Sequence, residues 1–129
     1  MLDVLQTLAP NQNLTVYATG GKINLELNGF VGALTLSVLQ GVIPDKAFLG
    51  AISVDLHDGA VYTFDLDDGL VKQCVLTNSR HSFLMADSNK FGKTGSFRYA
   101  SLSEFDNVIT NIQTPELTAT FKRLHTNCL

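Results

Sequence analysis

Short apolar runs of strand length alternate with helix-length amphipathic stretches along this chain, and that alternation constrains its fold more than any other feature. It predicts an α/β domain built on a largely parallel sheet. A first helix over residues 2–8 stops near Pro10. Residues 14–18 (LTVYA) read as a strand from their β-branched and aromatic content, and they run into Gly20-Gly21. Residues 32–43 carry Leu34, Val38, Leu39 and Val42 at helical spacing, and Pro44 closes that helix. Residues 47–54 (AFLGAISV) are nearly all apolar, which predicts a central strand buried on both faces. A short strand follows at 61–64. A helix then starts at Asp67, with Leu70, Val71, Cys74 and Val75 turned to the core. Residues 83–86 and 107–110 are further strands, with one helical turn at 103–105 between them. The last helix spans 115–124, with Thr114 as its cap and Pro115 in its first turn. Leu2 starts inside a helix and Leu129 stops where another strand could begin, so the expectation is a trimmed domain.

Composition removes several classes of function. The 129 residues suit one domain, and a chain of that size buries roughly two-thirds of its unfolded surface without disulfides or metal. With 45% hydrophobic and 16% charged residues it is neither disordered nor fibrous. A net charge of −3 gives no electrostatic footprint for nucleic acid. No apolar run approaches the roughly 18 residues of a membrane span, and the opening MLDVLQTLAP lacks the basic start of a secretory signal. Cys74 and Cys128 lie far apart in the sequence, and the simplest expectation is a reduced, cytoplasmic compartment. His57, His81 and His125 show no metal spacing, and no metal or cofactor is expected. The sequence holds no Gly-x-Ser-x-Gly elbow, Walker A loop or dinucleotide fingerprint.

In a parallel α/β sheet, ligands bind beyond the carboxyl ends of the strands. Three loops are candidates: 19–22, 50–53 and 87–92. Glycines there let the backbone approach a ligand, and free N–H groups can cradle an anion. A Gly-Gly pair is equally compatible with a mere tight turn. Charge is uneven as well. Asp55, Asp58, Asp65, Asp67 and Asp68 fall between Lys46 and Lys72, whereas Lys72, Arg80, Lys90, Lys93 and Arg98 follow with Asp87 as the one acid among them. Placed on the ligand side, that basic stretch suits a phosphorylated small molecule. Taken alone, it reads more simply as an ordinary solvated surface.

Five segments together carry a family resemblance. Ala86-Asp87-Ser88-Asn89-Lys90-Phe91-Gly92 resembles the "A-D-x-S-K-F-G" loop of the C-terminal effector-sensing domain of the DeoR family of bacterial transcription regulators. Asp45-Lys46-Ala47-Phe48-Leu49-Gly50-Ala51 resembles its "D-K-A-F-L-G-A" strand. Thr19-Gly20-Gly21 followed by Gly32 resembles its "T-G-G … G" segment, Val71-Lys72 falls where the family has a helical lysine, and residues 105–110 (FDNVIT) resemble its "I-D-x-x-I-T" strand. The match covers roughly residues 2–124, in order.

The resemblance implies a three-layer, Rossmann-like, mostly parallel sheet similar to the sugar-phosphate isomerase and CoA transferase fold. It implies that residues 1–129 are a partial sensor domain, truncated at its N-terminus. The family's "D-x-G-T-T" and "T-N-S" loops would precede Met1, and its Asp-Gly after "G-A" is replaced by Ile52-Ser53. The implied role is to bind a phosphorylated sugar or related metabolite for a repressor of carbohydrate metabolism. Contact with DNA would run through a helix-turn-helix domain outside these residues. Carried over position by position, the ligand side is Gly20, Gly21, Gly50, Lys72, Asp87 and Lys90. The two glycines would offer backbone, the two lysines charge, and Asp87 would accept a hydroxyl or orient Lys90. The alternatives are an ion pair between Asp87 and Lys90 that closes the loop, and a solvated helix face for Lys72. An isomerase-like enzyme would need a base and a partner acid in one pocket. Asp87 is one such group and the sequence offers no convincing second, so the expectation is a binding module and not an enzyme. The remaining alternative is an oligomerisation module that has lost its ligand. A sheet with an uncovered edge and face tends to pair, so a homo-oligomer is expected.

Overall fold

The structure, a computed structural model, describes residues 1–112 and 114–129. Among them the element order is α1 (Leu2–Leu8), β1 (Lys22–Asn24), β2 (Gly29–Val31), α2 (Ala33–Leu39), β3 (Ala47–Gly50), β4 (Ser53–Val54), β5 (Ala60–Thr63), α3 (Leu66–Asn78), β6 (Ser82–Met85), β7 (Phe97–Ser101), β8 (Asn107–Ile109), α4 (Pro115–Arg123) and β9 (Asn127–Cys128). Strands β3, β6, β8 and β9 lie side by side in that order, and every pairing is parallel. The parallel α/β architecture expected from the sequence is therefore present. It is joined by a three-stranded antiparallel sheet, β4-β5-β7, and by a β1–β2 hairpin.

Local chemistry fixes the helices that connect the parallel strands. Asp65 caps α3 by accepting the Asp68 N–H at 2.9 Å, and Asp67 and Asp68 sit in the first turn where the helix dipole favours acids. Thr114 caps α4 by accepting the Leu117 N–H at 3.2 Å, Pro115 opens the helix, and Lys122 and Arg123 occupy its last turn. The core lies between one face of the parallel sheet, the antiparallel sheet, α3 and α4. Val54, Val61, Leu84, Leu102 and Val108 are completely buried there, each worth about 1.5–3 kcal/mol of transfer free energy. Phe91, from the loop after β6, packs edge-on against Phe121 of α4 at 6.0 Å.

Four expectations from the sequence are corrected. Residues 14–18 form no strand. Leu14 is 48% and Tyr17 88% exposed, and a segment without a neighbouring strand makes no ladder. Residues 47–54 are not one strand. The chain turns after Gly50, and the Ile52 N–H donates to the Tyr62 carbonyl at 2.9 Å, which draws Ser53 and Val54 into the antiparallel sheet. The first piece, β3, is an edge strand of the parallel sheet with Phe48 53% exposed, not a central strand covered on both faces. The inner face of α3 is also different. Leu70 is exposed, while Asp68, Gly69 and Leu76 are buried and Lys72 is mostly so. Val75 packs against the core as expected, and the Asp68–Lys72 pair shares the buried side of the helix with it. At the C-terminus, Asn127–Cys128 already pairs with β8 as a strand.

Candidate functional site

The carboxyl edge of the parallel sheet can be located from its hydrogen bonds. At the amino edge the Arg80 N–H donates to Pro44 at 2.9 Å, the His81 N–H to Asp45 at 3.1 Å and the Ala47 N–H to His81 at 2.8 Å. Helix α3 ends beside that edge. Its 13 residues, at 1.5 Å each, carry its first turn some 20 Å away to the carboxyl edge. Gly50 ends β3 there, opposite Met85 of β6.

The structure joins Lys72 and Gly50 through a residue the sequence reading did not single out. Lys72 Nζ lies 2.6 Å from Asp68 Oδ2 and 5.4 Å from the centre of the Tyr99 ring. The Tyr99 hydroxyl donates to the Gly50 carbonyl at 2.9 Å, and the Thr63 hydroxyl donates to Asp68 Oδ2 at 2.7 Å. Lys72 is thus not on a solvated helix face. It lies over an aromatic ring and is held by a buried carboxylate. Burial, with the Asp68 charge second, pushes the Tyr99 phenol well above its ordinary range. Stability linked to the neutral phenol is complete below the unfolded-state value near 10 and is lost as pH rises above it, by about 1.4 kcal/mol per pH unit. In a spectrophotometric titration, the native protein should therefore withhold the Tyr99 phenolate signal until it unfolds. A native-state difference between wild type and Tyr99→Phe at pH 10–11 would contradict this.

Gly20 and Gly21 sit at the same end through the hairpin. Asn24 donates to Asp65 Oδ2 at 3.1 Å and Lys22 Nζ lies 3.7 Å from Asp67, so β1 is tied to the first turn of α3. The Thr35 hydroxyl donates to the Gly20 carbonyl at 2.7 Å. Asp87 and Lys90 lie in the loop after β6. Asp87 Oδ1 accepts the Asn89 N–H at 2.8 Å, and the Lys90 N–H donates to the Asp87 carbonyl at 3.0 Å. Among the described residues no ion pair joins Asp87 to Lys90, so an ion-paired loop closure is not part of this structure. No hydrogen bond or ion pair among them links Gly20 or Gly21 to Gly50, Asp87 or Lys90. The basic stretch is also divided. Arg80 pairs with Asp45 at 3.2 Å at the amino edge, away from Lys90.

An open cleft of about 440 Å³ lies between the carboxyl ends of β6 and β8, lined by Met85, Ala86, Asp87, Ile109, Thr110 and Asn111. Asn111 Oδ1 accepts the Ser88 N–H at 2.8 Å, which leaves its amide protons available. The Thr110 hydroxyl is buried and has no hydrogen-bond partner among the described groups, a state a polar ligand or water would relieve. A carboxylate, an amide donor and a hydroxyl within one cleft suit the hydroxyls of a polyol, with Lys90 nearby in sequence for a charged group. Thr110 and Asn111 were legible by the rule that selected the other loops, because Thr110 ends and Asn111 follows a strand predicted over residues 107–110. A second depression, of about 450 Å³ between Leu56-His57 and α4, contains none of the six predicted residues.

A parallel α/β sheet with its polar groups gathered beyond the strand ends defines a small-molecule-binding class of domain. Residues 1–112 match the family described as the DeoR C terminal sensor domain, and the chain belongs to that family. It is 30% identical over 114 residues to the Glycerol-3-phosphate regulon repressor of Escherichia coli (strain K12), covering 88% of this chain and 45% of that protein. The HTH-type transcriptional repressor GlcR of Bacillus subtilis (strain 168) is 27% identical over 85% of this chain and 42% of its own length. The Lactose phosphotransferase system repressor of Staphylococcus aureus (strain NCTC 8325 / PS 47) is 30% identical over 94% and 48%. The chain spans less than half the length of these relatives. No helix among the described residues is long and apolar enough to cross a membrane.

Proposed function

We propose that this chain is the effector-sensing part of a cytoplasmic, DNA-binding repressor of carbohydrate metabolism, and that its effector is a phosphorylated sugar or a related metabolite. One observation carries this reading: in a chain of the sensor family, the cleft beyond β6 and β8 holds Asp87, Asn111 and the unpartnered Thr110 hydroxyl, with Lys90 on the same loop as Asp87. Gly20, Gly21, Gly50 and Lys72 belong to the same end of the sheet and complete the proposed ligand side. DNA contact would belong to a helix-turn-helix outside residues 1–129, which form the partial sensor domain.

The relatives' names suggest the probes: glycerol 3-phosphate and the phosphates of hexoses. A true effector at 100 times its dissociation constant should raise the unfolding free energy by about 2.7 kcal/mol. Asp87→Asn and Lys90→Met should each weaken binding about tenfold, the loss of one charge-assisted contact of roughly 1.4 kcal/mol. Absence of a stability shift with every phosphorylated probe would overturn the reading. Turnover of ribose or glucosamine phosphates would replace it with an isomerase-type activity.

We further propose that the chain self-associates. The face of the parallel sheet opposite the core carries Phe48, stacked on Phe83 at 4.8 Å, together with Met85, and Phe48 and Met85 are 53% and 43% exposed. Parallel sheets are ordinarily covered on both faces. Sedimentation should show a dimer or larger species, and Phe48→Lys with Met85→Lys should return a monomer. A monomeric wild type at high concentration would refute this.

A further inference from the structure

Tyr99 is 4% exposed, yet it makes contacts on two sides that no other side chain duplicates among the described residues. Its hydroxyl reaches the carbonyl that ends β3, and Lys72 Nζ lies over its ring. Asp68 closes the arrangement by holding Lys72 at 2.6 Å and taking the Thr63 hydroxyl at 2.7 Å. Among the described residues no other side chain both hydrogen-bonds the Gly50 carbonyl and lies against Lys72. We propose that Tyr99 is a positioning residue that couples Lys72 to the Gly50 carbonyl, so that a change in the cation's position is felt at the end of β3.

The physical basis is polarisation. A cation over an aromatic face draws electron density from the ring, and this strengthens the phenol O–H as a donor. With Lys72 held by Asp68 over the ring, the cation offsets the opposing charge of that carboxylate on the phenol. When an anion draws Lys72 off, the hydrogen bond to Gly50 weakens and the β3–β4 corner loosens. Burial keeps water from competing for either partner. The inference deepens the sensing role proposed above and rests on that reading for its purpose.

The test uses the 129-residue chain without any effector. Backbone NMR should show that Lys72→Met moves the Gly50 carbonyl 13C and Ala51 amide 15N resonances while the neighbouring Leu49 carbonyl stays within noise. In a Tyr99→Phe background, which keeps the ring and removes the hydroxyl, the same Lys72→Met change should shrink to about half or less, the signature of a broken coupling in a double-mutant cycle. Equal shifts in both backgrounds would overturn the proposal. Should Tyr99→Phe fail to fold, the single Lys72→Met comparison still decides, because an unmoved Gly50 carbonyl is incompatible with the coupling. A failure here leaves effector binding intact, and a chain that binds no phosphorylated probe can still show this coupling.

Discussion

Gly21→Ala should cost about 3 kcal/mol of folding free energy, and Gly20→Ala about 1 kcal/mol, in urea unfolding of the two variants. Both glycines have positive φ, 69° at Gly20 and 105° at Gly21. A side chain at either position carries the conformational penalty of that region. Their surroundings differ. A Cβ on Gly20 would meet nothing within 4 Å, whereas one on Gly21 would overlap Thr35 Oγ1 and lie 3.2 Å from the Thr35 backbone nitrogen. Thr35 is 1% exposed, and its hydroxyl holds the Gly20 and Val31 carbonyls, so it has no easy direction in which to yield. The added loss at Gly21 is therefore overpacking, and it should diminish in a Thr35→Ala background, where the clashing atom is gone. Equal losses at the two glycines would mean that the turn relaxes freely and that α2 does not press on it.

This contrast marks what the sequence could and could not disclose. The adjacent glycines, the apolar runs of β3, β6 and β8 and the capped start of α4 act locally, through backbone freedom, side-chain burial and one cap bond. Each is readable from a handful of neighbouring residues. The misreadings arose where a distant partner decides. Residues 14–18 have the composition of a strand but no strand beside them to pair with. Residues 47–54 are nearly all apolar, and nothing local reveals that Tyr62 captures Ile52 and Ser53 for another sheet. Tyr99 stands 49 positions from Gly50, and only the folded chain brings its hydroxyl to that carbonyl. The Asp68–Lys72 spacing of four was visible. The burial of this ion pair was not, because Tyr99, which lies against it, comes from a strand far along the chain.

That ion pair carries the second large effect. Asp68→Ala should destabilise the chain by about 3 kcal/mol, the lower end of the cost of breaking a buried pair, equivalent to a fall in Tm of roughly 10 °C for a domain of this size. The side chains of Lys72 and Asp68 are only 17% and 12% exposed. Removing the carboxylate strands the ammonium over Tyr99 and leaves the Thr63 hydroxyl without its acceptor. The length of the lysine stem moderates the loss, since the head can swing toward water. The double variant Asp68→Leu with Lys72→Met should recover most of the stability, because an apolar pair of similar volume pays no desolvation. A loss below about 1 kcal/mol for Asp68→Ala would reclassify the pair as an ordinary surface contact. The same variant separates stability from sensing. If Lys72 is one of the cations that receive the effector's phosphate, Asp68 competes for it in the wild type. Asp68→Ala should then bind inorganic phosphate more tightly while folding less stably, as expected when a strained or restrained group serves a site. Weaker phosphate binding would instead assign Lys72 to the scaffold and leave Lys90 as the charge that meets the ligand.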